Sequence, residues 1–195
     1  MGNREDLIAG AKYCLLEKGY AQTTARDIAN RAGVSLAAIG YHFGSKDALM
    51  NQAVYETIGD WADAMRAAMA AEGSLDQPPR ARFETILDRM IASFGGEARK
   101  LWTVQMEIMT LLVHNEELRT FLASVQNDAA LGLSDFYLGI PEGTEQERAR
   151  PAGHVLHALT IGIFAKWFMD PAQSLTAKEI AEGLRIIADV ITDKD

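Results

Sequence analysis

Hydrophobic residues recur every three or four positions over most of this chain, which is the period of amphipathic α-helices. In the first such segment, residues 4–18, the apolar side chains share one face, and Cys14 is among them as a small core residue. Longer segments with the same period follow at residues 45–70, 83–94, 97–113, 115–138, 145–169 and 177–191. No segment alternates with the period of two that is typical of β-strands. The pattern predicts an all-α protein of about nine helices.

Two shorter helices are predicted between residues 24 and 47. Thr24 and Asp27 have the spacing of a capping box, so a helix is expected to begin there. Gly33 ends this helix, because glycine readily adopts the left-handed conformation of a tight exit. Ser35 suits the N-cap of a second helix, whose inner face carries Ile39. Helix, glycine-containing turn and helix together have the form of a helix-turn-helix.

The outer face of the second short helix is unusual in its small side chains. When Ile39 points inward, this face holds small residues and one tyrosine: Leu36 at its margin, Ala37, Ala38, Gly40 and Tyr41. A glycine inside a helix costs about 1 kcal/mol relative to alanine, so close approach to another surface is a reasonable explanation for Gly40. The spacing alone fits both a DNA-contacting helix and a plain structural turn.

The run TTARDIANRAGVSLAAIGYHFGSKDAL at residues 23–49 follows a helix that ends in EKGY. Over about the first fifty residues the chain resembles the DNA-binding domain of the TetR family of repressors. The resemblance implies a homodimeric repressor that binds a palindromic DNA operator and is released by a small-molecule effector. It also implies a helix-turn-helix domain at residues 1–48 and a helical effector-binding and dimerisation domain at residues 49–195. Leu36 and Gly40 depart from residues that are frequent in the family.

The resemblance assigns DNA-backbone contacts to Thr24, Arg26, Tyr41 and Lys46. His42 is expected to pack or to contact a phosphate. The predicted DNA-binding residues are Thr24, Arg26, Ser35, Leu36, Ala37, Ala38, Gly40, Tyr41, His42 and Lys46.

Two later segments, Leu101–Val113 and Val155–Met169, are apolar on most sides, which is typical of buried helices. We expect them to line an effector site with the lower part of the long helix at 45–70. The predicted effector-binding residues are Trp61, Met65, Met90, Trp102, Gln105, Met106, Glu107, Met109, His157 and Phe164. Methionine and aromatic side chains suit a largely apolar or aromatic effector. Alternatively these side chains fill a tight core, with Glu107 held by an arginine or reaching solvent.

The last helix begins at a second capping box, Thr176 and Glu179. It carries two apolar stripes, and a terminal helix needs only one to pack on its own domain. The preceding helix has small residues at Ala158 and Gly162, which allow close packing. We expect the last two helices to form a four-helix homodimer interface.

Charge separates the beginning of the chain from the rest. The net charge of the 195 residues is −8, which is unfavourable for binding nucleic acid. Residues 1–50 carry six Lys or Arg and five Asp or Glu, whereas the remainder carries 13 and 22. DNA binding is therefore expected at the N-terminal part. No apolar run of 18 residues and no signal peptide occur, so we expect a cytoplasmic protein without membrane contact.

Motifs of common enzymes are missing from the sequence. It has no glycine-rich phosphate loop, no GxSxG and no CxxC. His154 and His157 have metal-ligand spacing but no obvious third ligand, so no metal site and no cofactor are predicted. An acid–base enzyme using Glu107 and His157 and a helical adaptor that binds no DNA are the two rival hypotheses.

Overall fold

The structure, a computed structural model, describes residues 3–96, 98–140 and 146–192. These ranges contain nine α-helices and no β-strand, as the sequence predicts. The helices are α1 (Asn3–Lys18), α2 (Ala25–Ala32), α3 (Ala37–Phe43), α4 (Lys46–Ala71), α5 (Pro79–Ser93), α6 (Arg99–Leu111), α7 (Glu116–Leu138), α8 (Gln146–Met169) and α9 (Ala177–Ile191). Short 3₁₀ turns lie at Ser74–Asp76 and Pro171–Gln173. Glycine and proline between residues 139 and 143 predict a loop after α7, and residues 141–143 of it lie outside the described residues.

Local capping interactions set several helix ends. Thr24 with Asp27 and Thr176 with Glu179 form complete capping boxes, which confirms both predictions. Gly33 ends α2 with φ 69°, a left-handed conformation that side chains disfavour. The prediction for Ser35 was wrong, because α3 begins one residue later than expected, with Leu36 at its N-cap and no side-chain cap.

The described chain divides into two compact units. The first comprises Met1–Met65 and Ala98–Val125, and the second comprises Arg66–Glu97 and Gln126–Asp195. Helices α4 and α7 contribute residues to both units. The predicted domain boundary after residue 48 stays a prediction, and the compact units follow a different division.

The core of the first unit joins α6 and the start of α7 to the four N-terminal helices. Its buried side chains include Leu7, Leu15, Ile28, Ile39, Leu49, Val54, Val104, Ile108 and Leu118. Cys14 is also buried, and burial raises the pKa of its thiol, so the predicted core role is confirmed.

In the second unit, α7 and α8 touch backbone to backbone. A Cβ atom added to Gly153 of α8 would lie 1.8 Å from the carbonyl oxygen of Ala130 in α7. Such contact is possible only for glycine, because a Cβ and an oxygen cannot approach below about 3 Å. Gly153 therefore fixes how these two helices cross.

The end of α7 is held by an arginine from α5. Arg82 donates hydrogen bonds to the carbonyl oxygens of Asp135 at 2.7 Å and Phe136 at 2.9 Å. The last carbonyls of a helix lack partners within the helix, so a cation there stabilises the helix end.

The two segments predicted to be buried on most sides are amphipathic. In α6, Thr103 and Thr110 are exposed and donate to carbonyls of their own helix, and Val113 just beyond it is 68% exposed. In α8, Val155 and Met169 are exposed as well. The hydrophobicity of these two segments predicted more burial than the structure shows, because a helix can present apolar side chains to solvent or to a partner. None of the helices in the described ranges combines the length and hydrophobicity that crossing a lipid bilayer requires.

Candidate nucleic-acid interface

Helices α2 and α3 are packed onto the first unit by small and apolar contacts. A Cβ on Gly10 of α1 would lie 3.0 Å from the carbonyl oxygen of Ile28, so α1 and α2 approach closely. Ile39 anchors α3 and is 4% exposed. The unit therefore holds α3 as a rigid element with its opposite face free.

The free face of α3 carries Tyr41, which is 85% exposed, together with the exposed Ala37 and Gly40. Leu36, at the start of this helix, is 48% exposed. Ala38, also predicted to bind DNA, is 8% exposed and belongs to the core. A contact between Ala38 and DNA stays a prediction.

Gly40 has open space around its missing side chain. A Cβ built on it would meet no atom of the described chain within 4 Å. Neither packing nor a positive φ explains a glycine here. The open space leaves room for another molecule to approach the backbone of α3 closely.

The start of α2 is a small charged network. Thr24 donates its hydroxyl to Asp27 at 2.7 Å, and Lys18 donates to the same carboxylate at 2.6 Å. These bonds, first that from Lys18 and then those from Thr24, lower the pKa of Asp27 to about 2. The Thr24 hydroxyl is therefore used for capping, and a phosphate contact would need its hydrogen to turn. Arg26, two residues after Thr24, and Ser35, two residues before α3, are both exposed.

Lys46 lies at the first turn of α4 and is partly covered. Its Nζ is 3.0 Å from an Asp47 carboxylate oxygen and donates to the Thr23 carbonyl at 3.4 Å. It also lies 5.5 Å from the ring centroid of Tyr20. These contacts hold the Lys46 ammonium between Asp47, the Thr23 carbonyl and the Tyr20 ring. His42 is half-buried.

The turn between α1 and α2 has a partner that the sequence analysis missed. Glu107 of α6 accepts hydrogen bonds from the backbone N–H of Tyr20 at 2.9 Å and of Ala21 at 2.8 Å. Both carboxylate oxygens are thus engaged by the turn rather than by an arginine, and an effector contact for Glu107 stays an untested prediction. Glu107 lies 86 or 87 residues away from these partners in the sequence, so no local sequence signal could have indicated the contact.

The predicted effector-binding residues are divided between the two units. In the first unit, Trp61 of α4 and Trp102 of α6 pack edge to face with centroids 5.1 Å apart. Trp102 is 5% exposed, whereas Trp61 is half-buried. The half-buried members of the set in this unit are Trp61, Met65, Gln105, Met106, Glu107 and Met109.

In the second unit, Met90 and Phe164 are core residues. The hydroxyl of Tyr137 donates to the sulfur of Met90 at 3.3 Å, and Phe164 packs against Phe94 with centroids 5.1 Å apart. His157 is half-buried, and burial, followed by the nearby His154, lowers the pKa of its imidazole. For Met90 and Phe164 the geometry favours the tight-core alternative.

In the described ranges, no three His, Cys, Asp or Glu side chains come together as a metal site. His154 instead lies 3.4 Å from the Asn127 side-chain oxygen.

The second unit exposes apolar side chains on both of its last helices. In α9, four large aliphatic residues are at least half exposed: Ile186, Ile187, Val190 and Ile191. In α8, Ala158 and Gly162 are exposed, and a Cβ on Gly162 would meet no described atom within 4 Å. These two helices are the ones for which the sequence predicts a partner surface.

Residues 7–53 match the family model of bacterial regulatory proteins, tetR family. This range contains all ten residues predicted to bind DNA. The HTH-type transcriptional regulator BetI 2 of Chromohalobacter salexigens is 33% identical over 101 residues, which cover 51% of this chain and 48% of that regulator. The chain spans about half the length of the first curated relatives that it matches. These relatives are transcriptional regulators and not enzymes.

Solved structures resemble the chain over nearly its whole length. A TetR-family transcriptional regulator from Rhodococcus sp. has a TM-score of 0.65 at 21% identity, covering 99% of this chain and 100% of that chain. The multidrug binding protein EbrR, complexed with proflavin, has a TM-score of 0.62 at 22% identity, covering 94% of this chain and 98% of that chain. At these identities the likeness concerns the fold alone.

Proposed function

We propose that this chain, which belongs to the TetR family of bacterial regulatory proteins, is a ligand-responsive repressor that binds a palindromic operator as a homodimer. The observation that carries the proposal is the free outer face of α3, where Tyr41 projects from a helix anchored in the core. A short helix held in this way can enter the major groove of DNA. Such a protein acts on chromosomal DNA in the cytoplasm.

The outer face of α3 favours a particular kind of readout. Leu36, Ala37 and Gly40 have no side-chain groups that form paired hydrogen bonds with bases, but they can contact thymine methyl groups or let the backbone approach. Discrimination would then depend largely on DNA shape and methyl contacts. Tyr41, Arg26 and the charge of Lys46 would supply phosphate contacts, which position the protein without reading sequence.

The exposed apolar side chains of α9 and the small residues of α8 support dimerisation through the last two helices. A second copy would bury the exposed parts of the four aliphatic residues of α9, each contributing less than the roughly 1.5–3 kcal/mol of a fully exposed side chain. In a dimer, the two copies of α3 must lie about 34–36 Å apart to meet successive turns of the major groove.

A small molecule that prefers the DNA-incompetent state would release the operator. Tenfold relief needs about 1.4 kcal/mol of differential affinity for the two states. In the first unit, the half-buried Met65 of α4 and Gln105, Met106 and Met109 of α6 are better supported wall residues than Trp102, which is more fully packed. EbrR, which has a similar fold, binds proflavin, and this supports an aromatic or largely apolar effector.

Selection of bound fragments from genomic DNA by the purified full chain tests the proposal. We expect enrichment of an inverted repeat whose half-sites are centred about 10 base pairs apart. Enrichment of no sequence at low salt would reject the DNA-binding function, and enrichment of single half-sites would reject the homodimer.

A further inference from the structure

The turn that joins α1 to α2 binds a carboxylate through its backbone N–H groups. Glu107 accepts from two consecutive backbone N–H groups, those of Tyr20 and Ala21, at 2.9 and 2.8 Å. Successive N–H groups that converge in this way form an anion-binding nest. Hydrogen bonds to a charged acceptor are about twice as strong as neutral ones.

Gly19 gives this turn its shape. Its φ of 84° lies in the left-handed region, and a Cβ there would be 2.6 Å from a carboxylate oxygen of Glu107. The glycine is therefore required by backbone conformation and by the closeness of the carboxylate. Its carbonyl accepts a hydrogen bond from the Thr23 hydroxyl at 2.6 Å, immediately before Thr24 caps α2. The carboxylate-binding turn thus leads directly into α2, the first helix of the helix-turn-helix.

On the α6 side, Glu107 belongs to a face that packs on α1. Val104 and Ile108 of this face are buried in the core of the first unit. Lys100, one turn before Val104, forms an ion pair with Glu17 of α1 at 2.5 Å. The same helix carries the half-buried Gln105, which lies near Glu107 in sequence and was predicted to face an effector.

We propose that Glu107 is a positioning residue that fixes the helix-turn-helix to α6 in the orientation needed for binding two half-sites at once. This inference rests on the proposed function. A shift of α6 by 1 Å or so would lengthen both bonds beyond about 3.5 Å, where N–H···O bonds are lost. The internal packing of α2 and α3 would remain, because Ile28 and Ile39 do not depend on the carboxylate.

The variant Glu107→Gln tests this role with little change of shape. Its amide oxygen can accept from one N–H group, but its NH₂ group meets the other donor, so one bond is lost. Lys100→Ala is the matched control, since it breaks an exposed ion pair between α6 and α1, close to the same turn, and such pairs contribute little. Both variants would be compared with wild type on the selected duplex, on a duplex with one half-site, and by amide hydrogen exchange.

For Glu107→Gln we expect affinity for the full duplex to fall about 5- to 150-fold, the usual range of coupling between sites. Affinity for the half-site duplex should stay within about twofold, the usual range for a surface substitution. Exchange should accelerate at the amides of Tyr20 and Ala21. Lys100→Ala should match wild type in all three measurements.

Three outcomes would overturn the inference: unchanged amide exchange, unchanged affinity for the full duplex, or equal losses on the full and half-site duplexes. The last would mean local damage to the helix-turn-helix. If wild type itself bound no duplex, the proposed function would fail first and this inference with it, which separates the two failures.

Discussion

Replacement of Gly40 by alanine should stabilise the protein and weaken its DNA binding. Within the chain the substitution is free of cost, since an added Cβ meets nothing within 4 Å. Alanine is about 1 kcal/mol more favourable than glycine inside a helix. For a chain of this size, that gain corresponds to a rise in Tm of about 2–4 °C.

On DNA, the same methyl group would occupy space that the proposed complex uses for close approach. Inserting a methyl into a packed interface costs about 1–3 kcal/mol, which means affinity about 5- to 150-fold weaker. Thermal unfolding and fluorescence anisotropy with the selected duplex measure the two effects. A Gly40→Ala variant that is more stable but binds DNA more weakly would show that the glycine serves DNA binding rather than folding.

Gly59→Ala is the matched control. Gly59 lies inside α4 and also has no described atom within 4 Å of an added Cβ. It should show the same gain in stability with unchanged DNA affinity. A Gly40→Ala variant that bound the duplex as well as wild type would refute the close approach, and one that lost stability would refute the open-space argument.

Further substitutions separate phosphate contacts, base contacts, effector binding and packing. Lys46→Ala should weaken selected and random duplexes about equally and reduce the salt slope by roughly one per chain; a loss confined to one base position would contradict a phosphate role. Uracil in place of thymine in the half-sites should weaken binding, and no effect at any position would exclude methyl contacts. Phe164→Ala should cost about 3–5 kcal/mol in unfolding experiments. Met106→Ala should cost clearly less than the roughly 2–5 kcal/mol of a core methionine, and it should shift the effector concentration needed for release from DNA. Strong destabilisation by both variants with an unaltered effector response would place the pocket elsewhere. Gly153→Ala should cost about 3 kcal/mol or more, because its Cβ would overlap a backbone oxygen, and near-native stability in urea would show that α7 and α8 can separate cheaply.

The features that were predictable from sequence depend on neighbours within a few residues. The capping boxes at Thr24 and Thr176 and the left-handed Gly33 are local, and the structure contains all three. The predicted cap at Ser35 is absent, because α3 has Leu36 at its N-cap and no side-chain cap.

The features that sequence could not supply depend on distant partners. Glu107 is an ordinary acidic residue until the turn at Tyr20 folds against it. The packing partner of Phe164 is likewise distant, since Phe94 lies seventy residues away in the sequence. Apolar periodicity gives the number of hydrophobic faces, but it does not tell whether a face meets a core, a ligand or a second chain.

The central claim is that the free face of α3 recognises a specific DNA sequence. Titration of the full chain with the selected duplex and with a scrambled duplex of equal length, at about 150 mM salt, tests it most directly. We predict that the selected duplex binds at least about 10³-fold more tightly, the lower end of specificity for sequence-reading proteins. Equal affinity for the two duplexes would contradict the claim.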